Sequence, residues 1–152
     1  MFNSQKMNMK NTRIDIREAQ IPDDYQGIIS LWQSAGPGIH ITKSDSLEEI
    51  NKKQLRDPDL FLVADFDGEV IGTILGGFDG RRGIVYHLAV SESHRKQGVG
   101  ESLMNELEVR LRRKGCIRCY LLVTLDSQKN VDFYLKRGWE KMELLIMAKD
   151  IG

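Results

Sequence analysis

The chain has 152 residues, of which 41% are hydrophobic and 29% charged, and its 22 basic and 22 acidic side chains leave no formal net charge. This length suits one globular domain with a substantial core, and the balanced charge argues against a nucleic-acid partner, which usually requires a basic face. No stretch approaches the roughly 20 apolar residues of a membrane span, and the polar residues 1–11 lack the apolar core of a signal peptide. We therefore expect a cytoplasmic protein without a membrane partner, with residues 1–11 as a flexible leader and residues 12–152 as a single domain.

The first half of the chain predicts a strand, two helices and a pair of strands. Each boundary carries a local signal: a proline in the first turn of the first helix, a capping box at the start of the second, and an Asp-Gly hairpin turn between the two strands. The predicted elements are a strand at residues 12–17, helices that begin at Pro22 and at Ser46, and strands at residues 60–65 and 69–78.

The second half predicts one more antiparallel strand, followed by a crossover unit. A turn at residues 79–83 leads into a strand at residues 84–90, and an amphipathic helix runs from Val99 to Lys114. Because that helix connects two strands, the next strand, at residues 117–123, should lie parallel to the one before the helix.

A short helix that reaches Arg137 and a strand from Trp139 to Met147 complete the predicted order, β-α-α-β-β-β-α-β-α-β. This order predicts an α/β fold with a mixed central sheet and helices on both faces.

Cys116 and Cys119 form a C-x-x-C pair next to the strand at residues 117–123. Residues three apart in a strand point to opposite faces, and a zinc site would need a second pair of ligands that the sequence lacks. We therefore expect two reduced, buried thiols, no redox motif and no metal site.

Residues 90–111 run from an apolar strand through a basic, glycine-containing turn into an amphipathic helix. The first N–H groups of a helix have no intrahelical partner, and the helix dipole adds positive potential there. Gly98 and Gly100 allow successive N–H groups to converge, while Arg95 and Lys96 add mobile positive charge. The turn is therefore predicted to bind a polyphosphate, most naturally a pyrophosphate.

Three stretches of the chain, taken together and in this order, carry a family resemblance. Residues 16–19 read IREA, residues 88–90 and 95–100 read LAV and RKQGVG, and residues 133–139 read FYLKRGW. They resemble the first strand, the acetyl-CoA motif and the C-terminal motif of the GNAT superfamily of N-acetyltransferases. The order of predicted elements is also similar to the order in that superfamily. The resemblance implies an acetyl-CoA-dependent enzyme that moves an acetyl group to a primary amine by direct attack.

The resemblance also implies how the coenzyme is bound. Backbone groups of the fourth strand would pair with the pantetheine arm like an added strand, and the amides after it would hold the pyrophosphate. Ser127 stands where many relatives have a coenzyme-binding asparagine, so either its hydroxyl or Asn130 would make that contact. The implied coenzyme-binding residues are Leu88, Ala89, Val90, Arg95, Lys96, Gln97, Gly98, Val99, Gly100, Glu101, Ser102, Ser127 and Asn130.

Two residues are candidates for proton transfer. The resemblance places the hydroxyl of Tyr134 near the coenzyme sulfur, as a general acid for the departing thiolate. His87 is a candidate base on the fourth strand, since histidine ionises near neutral pH. Leu122 stands where some relatives carry a glutamate base, so a bound water or an amine that arrives neutral remain alternatives to His87.

The acceptor is expected to be a small-molecule or peptide amine, bound over the loop at residues 34–43, the turn at residues 79–83 and the C-terminal strands. Nothing in the sequence identifies it, and a homodimer stays open as an assembly state. A non-catalytic acyl-CoA-binding regulatory module with the same fold is the alternative function.

Overall fold

The computed structural model describes residues 13–152. Its strands are β1 (Ile14–Glu18), β2 (Phe61–Phe66), β3 (Glu69–Phe78), β4 (Gly83–Val90) and β5 (Cys119–Leu121). Its α-helices are α1 (Tyr25–Ser34), α2 (Leu47–Arg56), α3 (Val99–Arg113) and α4 (Gln128–Leu135), and short 3-10 helices cover Gly36–Gly38, Lys43–Asp45, Pro58–Leu60 and Glu92–His94. The leader expected at residues 1–11 lies outside the described residues.

The five strands form one mixed sheet in the order β1-β2-β3-β4-β5. Each of the first four strands is antiparallel to its neighbour, whereas β4 and β5 are parallel, with Gly83 opposite Cys119 and Val85 opposite Leu121. The parallel return follows from the crossover helix α3. The predicted mixed α/β sheet is therefore confirmed.

Helices cover both faces of this sheet. Leu75 of β3 belongs to a buried cluster that includes Ile28 of α1 and Ile50 of α2. Its neighbour Gly76 points the other way, because a Cβ added there would lie 2.6 Å from Cδ1 of Leu107 in α3. Successive strand residues face opposite sides of a sheet, so α1 and α2 cover one face and α3 covers the other. The prediction of helices on both faces is confirmed.

The predicted strand from Trp139 to Met147 is wrong for the structure as described. Residues 139–152 carry no regular secondary structure, and the apolar residues Leu144 to Met147 are exposed. An apolar run forms a strand only if another strand supplies an edge with which it can hydrogen-bond. Whether such an edge is available depends on the tertiary structure, and the run itself does not encode it. The chain also divides at Leu122, and Val123–Gly152 forms a second compact unit that contains α4.

The boundaries of α1 and β5, and the capping box of α2, differ from their predictions. Helix α1 begins at Tyr25, after a turn that contains Pro22, and β5 is shorter than the predicted strand at residues 117–123. At the start of α2, Ser46 Oγ accepts the Glu49 N–H at 3.3 Å, but the Glu49 carboxylate pairs with Lys52 instead of the helix start. One half of the predicted capping box therefore forms.

Among residues 13–152, no helix is long and apolar enough to cross a membrane.

Candidate active site

The fourth strand is interrupted by a β-bulge at His87. Thr73 pairs with Ala89 and Leu75 with Tyr86, so two residues of β4, one of them His87, lie opposite a single residue of β3. His87 has a left-handed backbone with a φ of 47°. For a residue with a Cβ this conformation costs about 1–3 kcal/mol. Because a bulge breaks the alternation of the strand, it directs the side chain of His87 differently from a regular strand position.

The redirected imidazole of His87 meets a buried carboxylate. Its Nε2 atom lies 3.3 Å from Oδ1 of Asp45, whose side chain is 6% exposed. Its ring centroid is 4.7 Å from that of Trp32 in α1. The His87 side chain keeps 23% of its surface exposed, so a proton can still reach it from a ligand or from water. The structure thus places His87, which the sequence analysis singled out, next to Asp45, which it did not.

Asp45 is fixed by a capping box of its own. Thr42 N–H donates to Asp45 Oδ2 at 2.8 Å, and the hydroxyl of Thr42 accepts the Ser44 N–H at 3.3 Å. The spacing Thr-x-x-Asp is a capping-box signal that the sequence carries, and it could have placed Asp45 at this short helix. It does not predict the contact with His87, which depends on the bulge.

Part of β4 lies beyond its pairing with β5. The register of the two strands covers only Gly83 to Val85, so Leu88 and Val90 belong to a stretch that β5 does not cover. Their backbone groups border the space that a longer parallel partner of β4 would occupy. The Val90 carbonyl already accepts a bond from Arg95 Nε at 3.3 Å. The residues for which the resemblance implies pairing with the pantetheine arm therefore lie on a strand edge that β5 leaves uncovered.

The turn between β4 and α3 leads into an open helix start. Gly98 caps α3 with a φ of 79°, and an added Cβ there would meet nothing within 4 Å. The first bond of the helix runs from Ser102 N–H to the Gly98 carbonyl at 3.0 Å. The N–H groups of Val99 and Gly100 therefore have no acceptor within the helix. A helix start of this kind, beside open space, is suited to bind an anion.

Side chains of the same turn hold its shape. Gln97 donates to the Ser93 carbonyl at 3.3 Å, while Arg95 bonds the end of β4 as described above. Lys96 adopts a left-handed φ of 60° and is exposed. Arg95 and Gln97 thus help to fold the turn, and Lys96 remains placed to attract an anion. The remaining predicted residues of this region, Glu101 and Ser102, are exposed on the first turn of α3.

In the unit Val123–Gly152, Tyr134 lies on α4 between two aromatic rings. Its ring centroid is 5.2 Å from that of Phe133 and 6.0 Å from that of Trp139. Burial raises the pKa of Tyr134 to about 12, so the hydroxyl stays protonated at neutral pH. It is therefore available as a proton or hydrogen-bond donor.

Ser127 and Asn130 both belong to the start of α4. Ser127 is the N-cap residue, and its carbonyl accepts the N–H of Asn130 at 3.1 Å and of Val131 at 3.2 Å. Its hydroxyl makes no capping hydrogen bond, and the Asn130 side chain is exposed. Both alternatives for the coenzyme contact thus lie on one helical turn.

The two cysteines do not occupy opposite faces of a strand, which corrects the sequence prediction. A Cβ added to Gly83 would lie 2.9 Å from Sγ of Cys116 and 3.0 Å from Sγ of Cys119, so both thiols converge on one point. Cys116 lies before β5, in the turn where its N–H bonds the Leu111 carbonyl at 3.1 Å, and strand alternation does not apply there.

Both cysteines are free and only partly buried. The expectation that both thiols are buried was therefore wrong as well. Burial still raises the pKa of Cys119 to about 12. Within residues 13–152, no three His, Cys, Asp or Glu side chains gather as a metal site would require.

Comparison with known proteins places this architecture in a family. The model of the acetyltransferase (GNAT) family matches residues 25–139. An acetyltransferase of Photorhabdus laumondii is 39% identical over 132 residues, which cover 84% of this chain and 89% of that protein. One from Pectobacterium atrosepticum is 34% identical over 127 residues, with the same two coverages. The crystal structure of the PaiA N-acetyltransferase of Thermoplasma acidophilum with coenzyme A is 22% identical, covers 87% of this chain and 92% of its own, and superposes with a TM-score of 0.74. The chain therefore belongs to the GNAT family and is an acetyltransferase.

Proposed function

We propose that this acetyltransferase moves the acetyl group of acetyl-CoA to a primary amine of a small molecule or peptide by direct attack. The observation that carries the proposal is the open start of α3 at Gly98, which adjoins the stretch of β4 that β5 leaves unpaired. The helix start would supply an anion site for the pyrophosphate, and the unpaired stretch of β4 would supply a strand edge for the pantetheine arm.

The residues of the turn fit the coenzyme as a co-substrate. The N–H groups of Val99 and Gly100 and the positive charge of Lys96 would hold the pyrophosphate, and the backbone of Leu88 would pair with the pantetheine. Ser127 or Asn130 would add a contact from α4. The helix start is open rather than filled by a side chain, which supports this use.

Transfer to an amine requires three proton and charge adjustments. His87 would take a proton from the acceptor ammonium, so that the neutral nitrogen attacks the thioester carbonyl. As the C–N bond forms and the C–S bond breaks, the hydroxyl of Tyr134 would give its proton to the departing thiolate. The surplus proton of the nitrogen would return through solvent to Tyr134, and His87 would release its proton to solvent before the next turnover. The high pKa of Tyr134 keeps this proton in place until negative charge develops on sulfur.

The proposal extends to the whole chain. Residues 12–152 would be one N-acetyltransferase domain acting in the cytoplasm, and residues 1–11 a leader whose removal leaves turnover unchanged. A bound water or an amine that arrives neutral would replace His87 if its substitution has no effect.

The test is to incubate the purified protein with acetyl-CoA and a panel of amines, and to follow release of free CoA together with the mass of the acetylated product. The panel should contain small metabolite amines, polyamines, aminoglycosides and peptides with free N-termini. We expect CoA release that depends on one class of amine. A protein that binds acetyl-CoA but acetylates no member of the panel would instead support the non-catalytic acyl-CoA-binding module.

A further inference from the structure

We propose that Asp45 is a positioning residue that keeps the proton of His87 on Nε2, so that Nδ1 is the atom that accepts the proton of the substrate ammonium. The inference rests on the proposed function, in which His87 is the base, and it adds a residue that the sequence did not single out. It also predicts which ring nitrogen must face the acceptor.

The two carboxylate oxygens of Asp45 have different partners. Oδ2 accepts the Thr42 N–H at 2.8 Å and lies 3.4 Å from the Thr42 hydroxyl. Oδ1 lies 3.3 Å from Nε2 of His87. The negative charge of an ionised carboxylate at this distance stabilises a bound proton on Nε2 over a lone pair, so the neutral imidazole that faces Oδ1 is stabilised with its proton on Nε2.

The surroundings hold this pair in place. The Tyr25 hydroxyl donates to the Asp45 carbonyl at 2.9 Å, which anchors the backbone under the carboxylate. The Asp45 side chain is 6% exposed, so water competes little for Oδ1. The buried Trp32 Nε1 makes no hydrogen bond to any of the described residues, so the indole does not share that oxygen either.

The imidazole itself has restricted freedom. The left-handed φ at the bulge fixes the direction of the Cα–Cβ bond of His87. The Trp32 ring packs against the imidazole, with the two ring centroids 4.7 Å apart and an interplanar angle of 58°. A base gains efficiency when its proton-accepting atom is held towards the substrate before reaction. The bulge restricts the direction of the His87 side chain, and Asp45 restricts which ring nitrogen carries the proton.

The decisive variant is Asp45→Asn, because it changes the tautomer with almost no change in shape. The Thr42 N–H requires an acceptor and therefore keeps the amide oxygen of the new residue at the Oδ2 position. Its NH2 group then faces Nε2 of His87, which must become an acceptor, so the proton moves to Nδ1. We expect kcat to fall by about 10²–10³, with the KM for acetyl-CoA changed less than about twofold, since Asp45 lies outside the turn between β4 and α3 that is proposed to bind the coenzyme.

A readout that does not depend on activity is the 15N chemical shift of each His87 ring nitrogen, measured in labelled protein with the histidines neutral. The chain has 3 histidines, so His87→Gln assigns the signals. We expect Nε2 to be the protonated nitrogen in the wild type and Nδ1 in Asp45→Asn. The matched control is Asp57→Asn, a buried carboxylate that pairs with Lys53 at 2.6 Å, which should leave the tautomer and kcat near wild-type values.

The possible results separate the inference from the function on which it rests. A wild-type His87 protonated on Nδ1 overturns the inference without the Asp45→Asn variant, even if that variant fails to fold. An inverted tautomer with unchanged kcat overturns it as well. If His87→Gln also leaves kcat unchanged, the base assignment of the proposed function falls with it; if His87→Gln lowers kcat, only the role of Asp45 is lost.

Discussion

Arg17 of β1 and Asp24, just before α1, face each other with two parallel contacts. Nη1 lies 2.7 Å from Oδ2 and Nη2 lies 2.9 Å from Oδ1, while Asp65 of β2 approaches the same guanidinium at 3.0 Å. The hydrogen bonds from Arg17 hold the pKa of Asp24 below its usual value, although burial opposes them. Bidentate geometry of this kind orients both partners, so the cluster ties the first strand to the entry of the first helix.

This relationship predicts an acid-sensitive contribution to stability. Since the folded pKa of Asp24 lies below its ordinary value of 3.8, the contribution is complete above about pH 5 and is lost as the pH falls through 3.8 and then through the folded value. Asp24→Asn should lower the free energy of unfolding at pH 7 by about 1–3 kcal/mol, and the difference from wild type should shrink at pH 3. Urea unfolding at both pH values checks this, with exposed Asp23→Asn as the control. A difference that does not vary with pH would contradict it.

A second prediction concerns the open start of α3. Acetyl-CoA at about a hundred times its dissociation constant should stabilise the wild type by about 2.7 kcal/mol, and Gly98→Val should abolish that stabilisation because a side chain blocks close approach of the anion. Thermal unfolding with and without the ligand measures it. S-acetyl-pantetheine, which lacks the pyrophosphate, should stabilise the wild type much less.

The matched control for that experiment is Gly80→Val. Gly80 also has a positive φ, of 98°, with nothing within 4 Å of an added Cβ, so the variant carries similar backbone strain away from the turn. It should lose stability but keep the stabilisation by acetyl-CoA. Equal stabilisation of the Gly98 and Gly80 variants would mean that the turn is not the anion site.

A third prediction tests the close packing of β3 against α3. Gly76→Ala would place a methyl group 2.6 Å from Cδ1 of the fully buried Leu107, and overpacking of this kind costs about 1–3 kcal/mol. Leu107→Ala alone should cost about 2–5 kcal/mol because it leaves a cavity. The double variant should lose less than the two single losses added together, since the new methyl group occupies part of that cavity. Chemical denaturation of the three variants measures the coupling, and strict additivity would contradict the contact.

Local signals in the sequence predicted most of the fold. The Asp67-Gly68 turn set the bounds of β3, and the glycine before Val99 set the start of α3, because turns and caps depend on residues close together in the chain. The short β5 and the absent strand at residues 139–147 were mispredicted, since strand length and pairing depend on an edge supplied from elsewhere.

The site was only partly predictable for the same reason. The glycine turn follows from residues adjacent in sequence, but the approach of Asp45 to His87 requires a bulge whose register involves two strands. No glycine marks that bulge, and a positive φ is uncommon for any residue other than glycine. The cysteine prediction was wrong because alternation was applied to Cys116, which precedes the strand.

A fourth prediction concerns the reactivity of Cys119. With a pKa of about 12, it presents little thiolate at pH 8, and the greater nucleophilicity of that thiolate offsets only part of the loss. Alkylation by iodoacetamide should therefore be slower than for an unfolded cysteine by about 100-fold. Peptide mass spectrometry after short exposures, in buffer and in denaturant, gives the ratio. Rapid modification of Cys119 in the folded protein would contradict its burial and reopen a redox role for the pair.

The fifth prediction tests Tyr134 as the acid. Tyr134→Phe removes one hydroxyl and keeps the ring between Phe133 and Trp139. If that hydroxyl protonates the thiolate, kcat should fall by about 10²–10³, whereas coenzyme affinity should change little because the interaction strengthens only as charge develops. The matched control is Tyr120→Phe, which removes a hydroxyl from a partly buried tyrosine on β5.

The pH dependence distinguishes an acid from a packing role for Tyr134. Because its pKa is about 12, the hydroxyl keeps its proton throughout the range from pH 7 to pH 10, and the ratio of wild-type to Tyr134→Phe kcat should stay constant across it. A hydroxyl that serves only as a buried donor would instead cost about 1–3 kcal/mol of stability when removed and leave kcat unchanged. Measuring kcat, coenzyme affinity and melting temperature on the same variant therefore decides the role: an unchanged kcat with a lowered melting temperature would assign Tyr134 to packing and leave the thiolate to be protonated by solvent.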